Sequence, residues 1–150
     1  MRRALELSME NVRAGRGGPF GAVIARDGRI IAEGVNLVTS TPDPTAHAEI
    51  TAIREACRVL GQFHLTGCEI YASCEPCPMC LGAIYWARLD RVYFAGSRED
   101  ASRAGFSDAR IYEELSVPVG SRAIPTEQLL RDEALAAFEE WRNKQDRIAY

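Results

Sequence analysis

The sequence predicts an α/β protein, a three-layer α/β/α sandwich around one mixed sheet. Three observations carry this reading: two short apolar runs flanking Asp27-Gly28, a β-α-β pattern over residues 69–95, and helical apolar spacing on either side of the first pair of strands. Residues 2–14 place Leu5, Met9 and Val12 at helical intervals, and Gly15 through Gly18 stop the helix. Residues 20–25 and 30–32 are strand-like and meet at Asp27-Gly28, a dipeptide whose tolerance of positive φ suits a tight hairpin. Pro42 and Pro44 break residues 36–45 into a loop that delivers Asn36 and then His47. Residues 46–60 have helical composition and end at Gly61, where a left-handed cap is expected. A strand over 69–73, a helix over 77–88 and a strand over 91–95 follow, so the last two strands are predicted parallel. Beyond Gly96 the pattern weakens. A short helix is predicted over 109–115, and another over 132–145 with Leu135, Phe138 and Trp141 along one face.

No repeat or linker divides the 150 residues, which are read as one domain. An apolar fraction of 47% and a charged fraction of 26% belong to a globular protein. No apolar run reaches membrane-spanning length, and Met1-Arg2-Arg3-Ala4-Leu5-Glu6 is not a secretory signal, so a cytoplasmic protein is expected. The net charge of −3 argues against a phosphate-binding surface and for a small-molecule substrate, with no nucleic acid or membrane partner. Five cysteines form an odd set in a chain long enough to fold without disulfides, so their clustering points to metal or redox chemistry.

Two segments carry that chemistry. Thr45-Ala46-His47-Ala48-Glu49 and Glu75-Pro76-Cys77-Pro78-Met79-Cys80 combine H-x-E with P-C-x-x-C, the pattern of zinc nucleobase deaminases. Zinc takes four nitrogen or sulfur ligands, and His47, Cys77 and Cys80 supply three, leaving a place for water. Cysteines three apart lie about one turn from each other on a helix, whose N-terminal N–H groups favour thiolates. Pro76 and Pro78 fit a helix start. His47 and Glu49 would be about 200° apart on a regular helix. His47 is therefore read as the ligand near the helix start, and Glu49 as the acid–base group that moves the proton of an attacking water.

Each element also has a plainer reading. A lone C-x-x-C is a redox dithiol or half of a structural zinc site, whose fourth ligand would be Cys74, Cys68 or His64. Cys57 and Cys68 read as small buried hydrophobes. Asn36 by itself is a turn residue, and Asp108 by itself is the N-cap of the helix beginning at residue 109. Trp86, roughly 240° around the helix from Cys80, faces away from the metal in its own subunit. Tyr150 by itself is a frayed terminus.

The chain also resembles the cytidine deaminase-like superfamily and, within it, the bacterial guanine deaminases. The resemblance runs through Gly17-Gly18-Pro19-Phe20-Gly21-Ala22-Val23, Asp43-Pro44-Thr45-Ala46-His47-Ala48-Glu49 and Ser73-Cys74-Glu75-Pro76-Cys77-Pro78-Met79-Cys80 with the eight residues after it. It resumes at Ala104-Gly105-Phe106-Ser107-Asp108, Trp141-Arg142-Asn143-Lys144 and Tyr150. It implies a mixed five-stranded sheet, one Zn2+ per subunit, and hydrolysis of guanine to xanthine and ammonia. It also implies that Asp108 is a second proton shuttle and that Asn36, Ala48, Trp86 and Tyr150 bind substrate. Finally, it implies a homodimer that exchanges a C-terminal segment from about residue 120 to 150, with Tyr150 closing the partner's pocket. The alternatives are guanosine or another aminated purine or triazine as substrate, adenosine in tRNA, or a non-catalytic structural zinc protein.

Overall fold

The computed structural model describes residues 1–149. They fall into two compact units, residues 1–108 and 109–149, each taken on its own. The first contains α1 (Arg2–Arg13), β1 (Gly21–Arg26), β2 (Arg29–Val35), α2 (Ala48–Leu60), β3 (Cys68–Cys74), α3 (Pro78–Trp86), β4 (Arg91–Gly96) and α4 (Arg98–Arg103). Its sheet runs β2-β1-β3-β4. The strand β1 is antiparallel to both of its neighbours, and β3 is parallel to β4, the arrangement a helical crossover requires. Positive φ at Asp27 (50°) and Gly28 (73°) makes the β1–β2 turn as tight as the dipeptide predicts.

Alternation along β1 sorts side chains to two faces. Val23 packs with Ala4 and Leu7 of α1, whereas Ala22 and Ile24 join Ala48, Ala52 and Ala56 of α2 and Ile84 of α3. That is the predicted α/β/α layering. The alanines of α2 recur every four residues and let the helix sit close to the sheet. At Gly34 a Cβ would lie 2.3 Å from the Ala48 carbonyl oxygen, so β2 must carry glycine where α2 starts.

The expected fifth strand is a correction: among the described residues the sheet has four strands. After β4 the chain turns directly into α4 through a capping box, in which Ser97 and Asp100 exchange side-chain and backbone bonds. Later, Pro118 and Pro125 interrupt residues 117–130, which hold a 3-10 turn (Val119–Ser121) and no strand.

The second unit consists of α5 (Ala109–Ser116), that turn and α6 (Arg131–Asn143). None of residues 109–149 is buried, and Leu135, Phe138 and Trp141 are exposed although they share a helical face as predicted. No helix among the described residues is long and apolar enough to cross a membrane.

Candidate metal centre

The strands β2 and β3 end on the same side of the sheet, because each is antiparallel to β1. There Val35 leads into Asn36, and Cys74 into Glu75-Pro76-Cys77. The loop after β2 is closed by the Leu37 N–H donating to the Ala46 carbonyl at 2.9 Å, which sets Asn36 beside His47. Within it, Asp43 accepts from both the N–H and the hydroxyl of Thr45, a local turn that aims the chain into α2. The Thr51 hydroxyl contacts the carbonyls of Val35 (3.0 Å) and Ala48 (2.9 Å), fastening the first turn of α2 to the end of β2.

Both helices begin later than the sequence suggests, α2 by two residues and α3 by one, and this settles how the ligands converge. His47 is the N-cap of α2, with φ −68° and ψ 158°. Cys77 is the N-cap of α3, with φ −64° and ψ 168°. An extended N-cap is not bound by the 100° step of a helix, so His47 and Glu49 need not point apart. Cys80 follows on the first turn of α3, three residues after its cap. Two helix N-termini, each with unpaired N–H groups, thus bring their caps to one point.

His47 Nδ1 lies 3.5 Å from Cys77 Sγ and 3.5 Å from Cys80 Sγ. The three ligand atoms are within 4.8 Å of one another. Tetrahedral zinc with ordinary bond lengths would place such a nitrogen and sulfur roughly 3.6 Å apart, so the residues fit the ion. Among the described residues no fourth His, Cys, Asp or Glu joins this cluster. Cys74 instead donates to the Ser97 carbonyl at 3.5 Å, Cys68 is in the core, and His64 lies against Phe63. The closed four-ligand site considered above is therefore not assembled among the described residues.

Electrostatics agree with a dication. The Cys77 thiol is drawn down to about 4, first by the Cys80 thiol donating to it and then by His47, against the opposing effect of burial. That same bond, with burial, pushes Cys80 up. His47 is raised by its bond to Cys77. Glu49 is raised by burial, at 7% exposure, and its Oε2 accepts from Cys80 at 3.4 Å. Several acidic groups thus converge on one imidazole, a set that a divalent cation would neutralise. Cys74, pushed up to about 11 chiefly by burial, remains a thiol.

The remaining predicted residues are distributed as follows. Asn36 is buried, and its Oδ1 accepts from the N–H groups of Gly18 and Val38, both at 3.3 Å, leaving the Nδ2 donors unspent among the described residues. Ala48 is the buried first residue of α2, between His47 and Glu49. Asp108 is half-buried at the end of the first unit; two residues earlier Phe106 packs edge-on against Phe20, with 5.0 Å between centroids, just after the glycine turn. Trp86 is exposed at the far end of α3, about 12 Å along the axis from its start. Tyr150 lies outside the described residues. Asn11 and Thr51, which hold Asn36 and α2 in place, were not among the residues singled out from the sequence. A helical asparagine and a helical threonine carry no local signal of the backbone carbonyls they reach.

Comparison with known proteins places this geometry. The profile of the cytidine and deoxycytidylate deaminase zinc-binding region matches residues 1–96. The chain is 55% identical over 150 residues to a guanine deaminase of Bacillus subtilis, covering all of this chain and 96% of that protein. It is 44% identical over 96 residues to a tRNA-specific adenosine deaminase of Agrobacterium fabrum, covering 64% of this chain and 62% of that one. Among solved structures, the B. subtilis guanine deaminase superimposes with a TM-score of 0.97 at 56% identity, covering 99% of this chain and 95% of that one. A guanine deaminase from Nitrosomonas europaea gives a TM-score of 0.69 at 32% identity, covering 95% and 82% respectively.

Proposed function

The chain belongs to the cytidine and deoxycytidylate deaminase zinc-binding family, and from that membership and the site above we infer that it is a zinc-dependent deaminase converting guanine and water to xanthine and ammonia. The observation that carries the choice of guanine is the match to the B. subtilis enzyme at 55% identity over 150 residues, against 44% over 96 residues and 38% over 136 residues for tRNA-specific adenosine deaminases.

His47, Cys77 and Cys80 hold one zinc per subunit. When bound, the ion supplies Lewis acidity and acidifies water from ~15.7 to about 7. Glu49 moves the first proton: its carboxylate takes one from the attacking water and delivers it to the ring nitrogen beside the amino-bearing carbon. Its burial raises its proton affinity, which suits a group that must both accept and return a proton. Asp108 carries the second proton, taking it from the hydroxyl on the attacked carbon as the carbonyl forms and giving it to the departing amino group, which leaves as ammonia. With Oδ1 of Asn36 committed to backbone N–H groups, the residue meets the base as a donor through Nδ2. The Ala48 N–H, at the start of α2, is positioned to serve the bound base or its oxygen.

The reading is tested by ammonia release from guanine, guanosine, cytidine and adenosine with zinc-loaded protein. Guanine is expected to be the preferred substrate. Conversion of adenosine in RNA without action on guanine would overturn the choice.

A cytoplasmic homodimer, with the segment from about residue 120 to 150 exchanged, Tyr150 closing the pocket of the other subunit and Trp86 making a dimer contact near that pocket, belongs to the same proposal. It is supported by the second unit, in which exposed Ile111, Leu115, Phe138 and Trp141 have no buried companions. Light scattering of the purified chain is expected to give twice its mass at micromolar concentration, and a monomer there would sink the exchange.

A further inference from the structure

We propose that Asn11, on α1 and outside the metal cluster, is a positioning residue for substrate binding: its side-chain amide holds the carbonyls of Gly18 and Asn36 and so fixes the amide of Asn36. The proposal rests on Asn36 meeting the base as argued above.

Asn11 is fully buried, with 0% exposure. Its Nδ2 donates to the Gly18 carbonyl at 2.9 Å and to the Asn36 carbonyl at 2.8 Å. Its own Oδ1 is buried without a partner. A buried acceptor left unbonded lowers stability, and an apolar side chain of similar size would avoid that loss. Packing therefore does not account for an amide here, and the weight falls on its two donor bonds. They tie together two segments that are apart in sequence: the glycine turn after α1 and the residue after β2.

A second amide ties the same segments from the other side, because Asn36 Oδ1 accepts from Gly18 N–H as well as from Val38 N–H. Gly18 is thus held at its carbonyl by Asn11 and at its N–H by Asn36. The turn also lies against Asn36 so closely that a Cβ on Gly17 would be 2.2 Å from the Asn36 carbonyl oxygen. Asn36 N–H donates to the Phe20 carbonyl at 3.1 Å, completing the frame. Turning the Asn36 amide over would set its NH2 against two N–H groups, so this frame selects the orientation that leaves donors for a ligand. Among the described residues Asn11 is the side chain that anchors both carbonyls of the frame to α1, well before the metal-binding segments in sequence.

The test uses the full-length, zinc-loaded protein with Asn11→Leu, and with Asn11→Ser as a milder replacement should the first fail to fold. One readout needs no substrate: amide hydrogen exchange at Gly18 and Val38, expected to quicken about tenfold, the size of one lost hydrogen bond, while Ile24 and Ile70 in the sheet are unchanged. The second is kinetic. The KM for guanine should rise about tenfold with kcat and zinc content nearly unchanged, and the rise should vanish when Asn11→Leu is made on Asn36→Ala, because residues acting through one another are not additive. Unchanged exchange at Gly18 and Val38, or a KM effect that adds in full to that of Asn36→Ala, would overturn the proposal. A failure of the guanine reading shows separately, as absence of guanine turnover by the unaltered protein, and the exchange measurement still decides on Asn11.

Discussion

Glu49→Gln is expected to keep a full complement of zinc and lose turnover of guanine by about 10²–10⁴-fold, the range associated with a positioned acid–base group. The amide preserves the size of a side chain that is 7% exposed, and it removes only the ability to take and return a proton. Full activity in the zinc-loaded variant would refute the role. The same substitution has an opposite effect on stability once metal is stripped. Burial raises the proton affinity of Glu49, so the folded state holds its proton to higher pH than the unfolded chain does. Stability then falls as pH rises from the unfolded pKa through the folded one, and above that range the penalty is complete. Glutamine carries no such penalty, so metal-free Glu49→Gln should melt above the metal-free wild type at pH above that range. Their midpoints should converge as acid protonates Glu49. A residue that lowers the stability of its own fold and raises the rate is what a site selected for chemistry would hold.

Cys80→Ser should abolish both zinc content and activity. The sulfur is fully buried, 3.5 Å from His47 Nδ1 and 3.4 Å from Glu49, so no outside ligand can readily replace it. A serine hydroxyl is harder and far less acidic than a thiol and does not substitute at a zinc site of this kind. The loss in affinity should exceed the ~10–100-fold caused by removing a partner that merely orients a ligand. Cys74→Ser is the control: its thiol bonds to the Ser97 carbonyl outside the cluster, so zinc should stay. Elemental analysis of the two purified variants decides the matter. Zinc retained by Cys80→Ser, or lost from Cys74→Ser, would contradict the ligand set.

The convergence of His47, Cys77 and Cys80, with Glu49 beside Cys80, was readable because metal ligation restricts the spacing of such residues. Where the helices begin was not. A pattern of apolar residues does not distinguish an N-cap from the first helical position, and both ligand segments turn on that one residue. The strand β2 was read short because Glu33 and Gly34 look like a break, whereas Gly34 is there for the close approach of α2. The helix α4 went unread although Ser97 and Asp100 stand at capping-box spacing. The apolar face of Leu135, Phe138 and Trp141 was legible as a helix face, but periodicity cannot say what covers it. Asn11 was the least visible, since a polar residue in an amphipathic helix is ordinarily solvated, and only the fold turns it inward.

The meeting of two capped helices has a consequence for how an ion is captured. His47 and Cys80 are 33 residues apart along the chain. Drawing such a span into a ring around a metal in a flexible peptide would cost about 3 kcal/mol of loop-closure entropy. Here β1 lies between β2 and β3 in the sheet and brings the ends together, so the pairing of the strands carries that closure. The affinity of an ion held there would then rest on the chemistry of one imidazole and two thiols, with the span between them closed by the sheet.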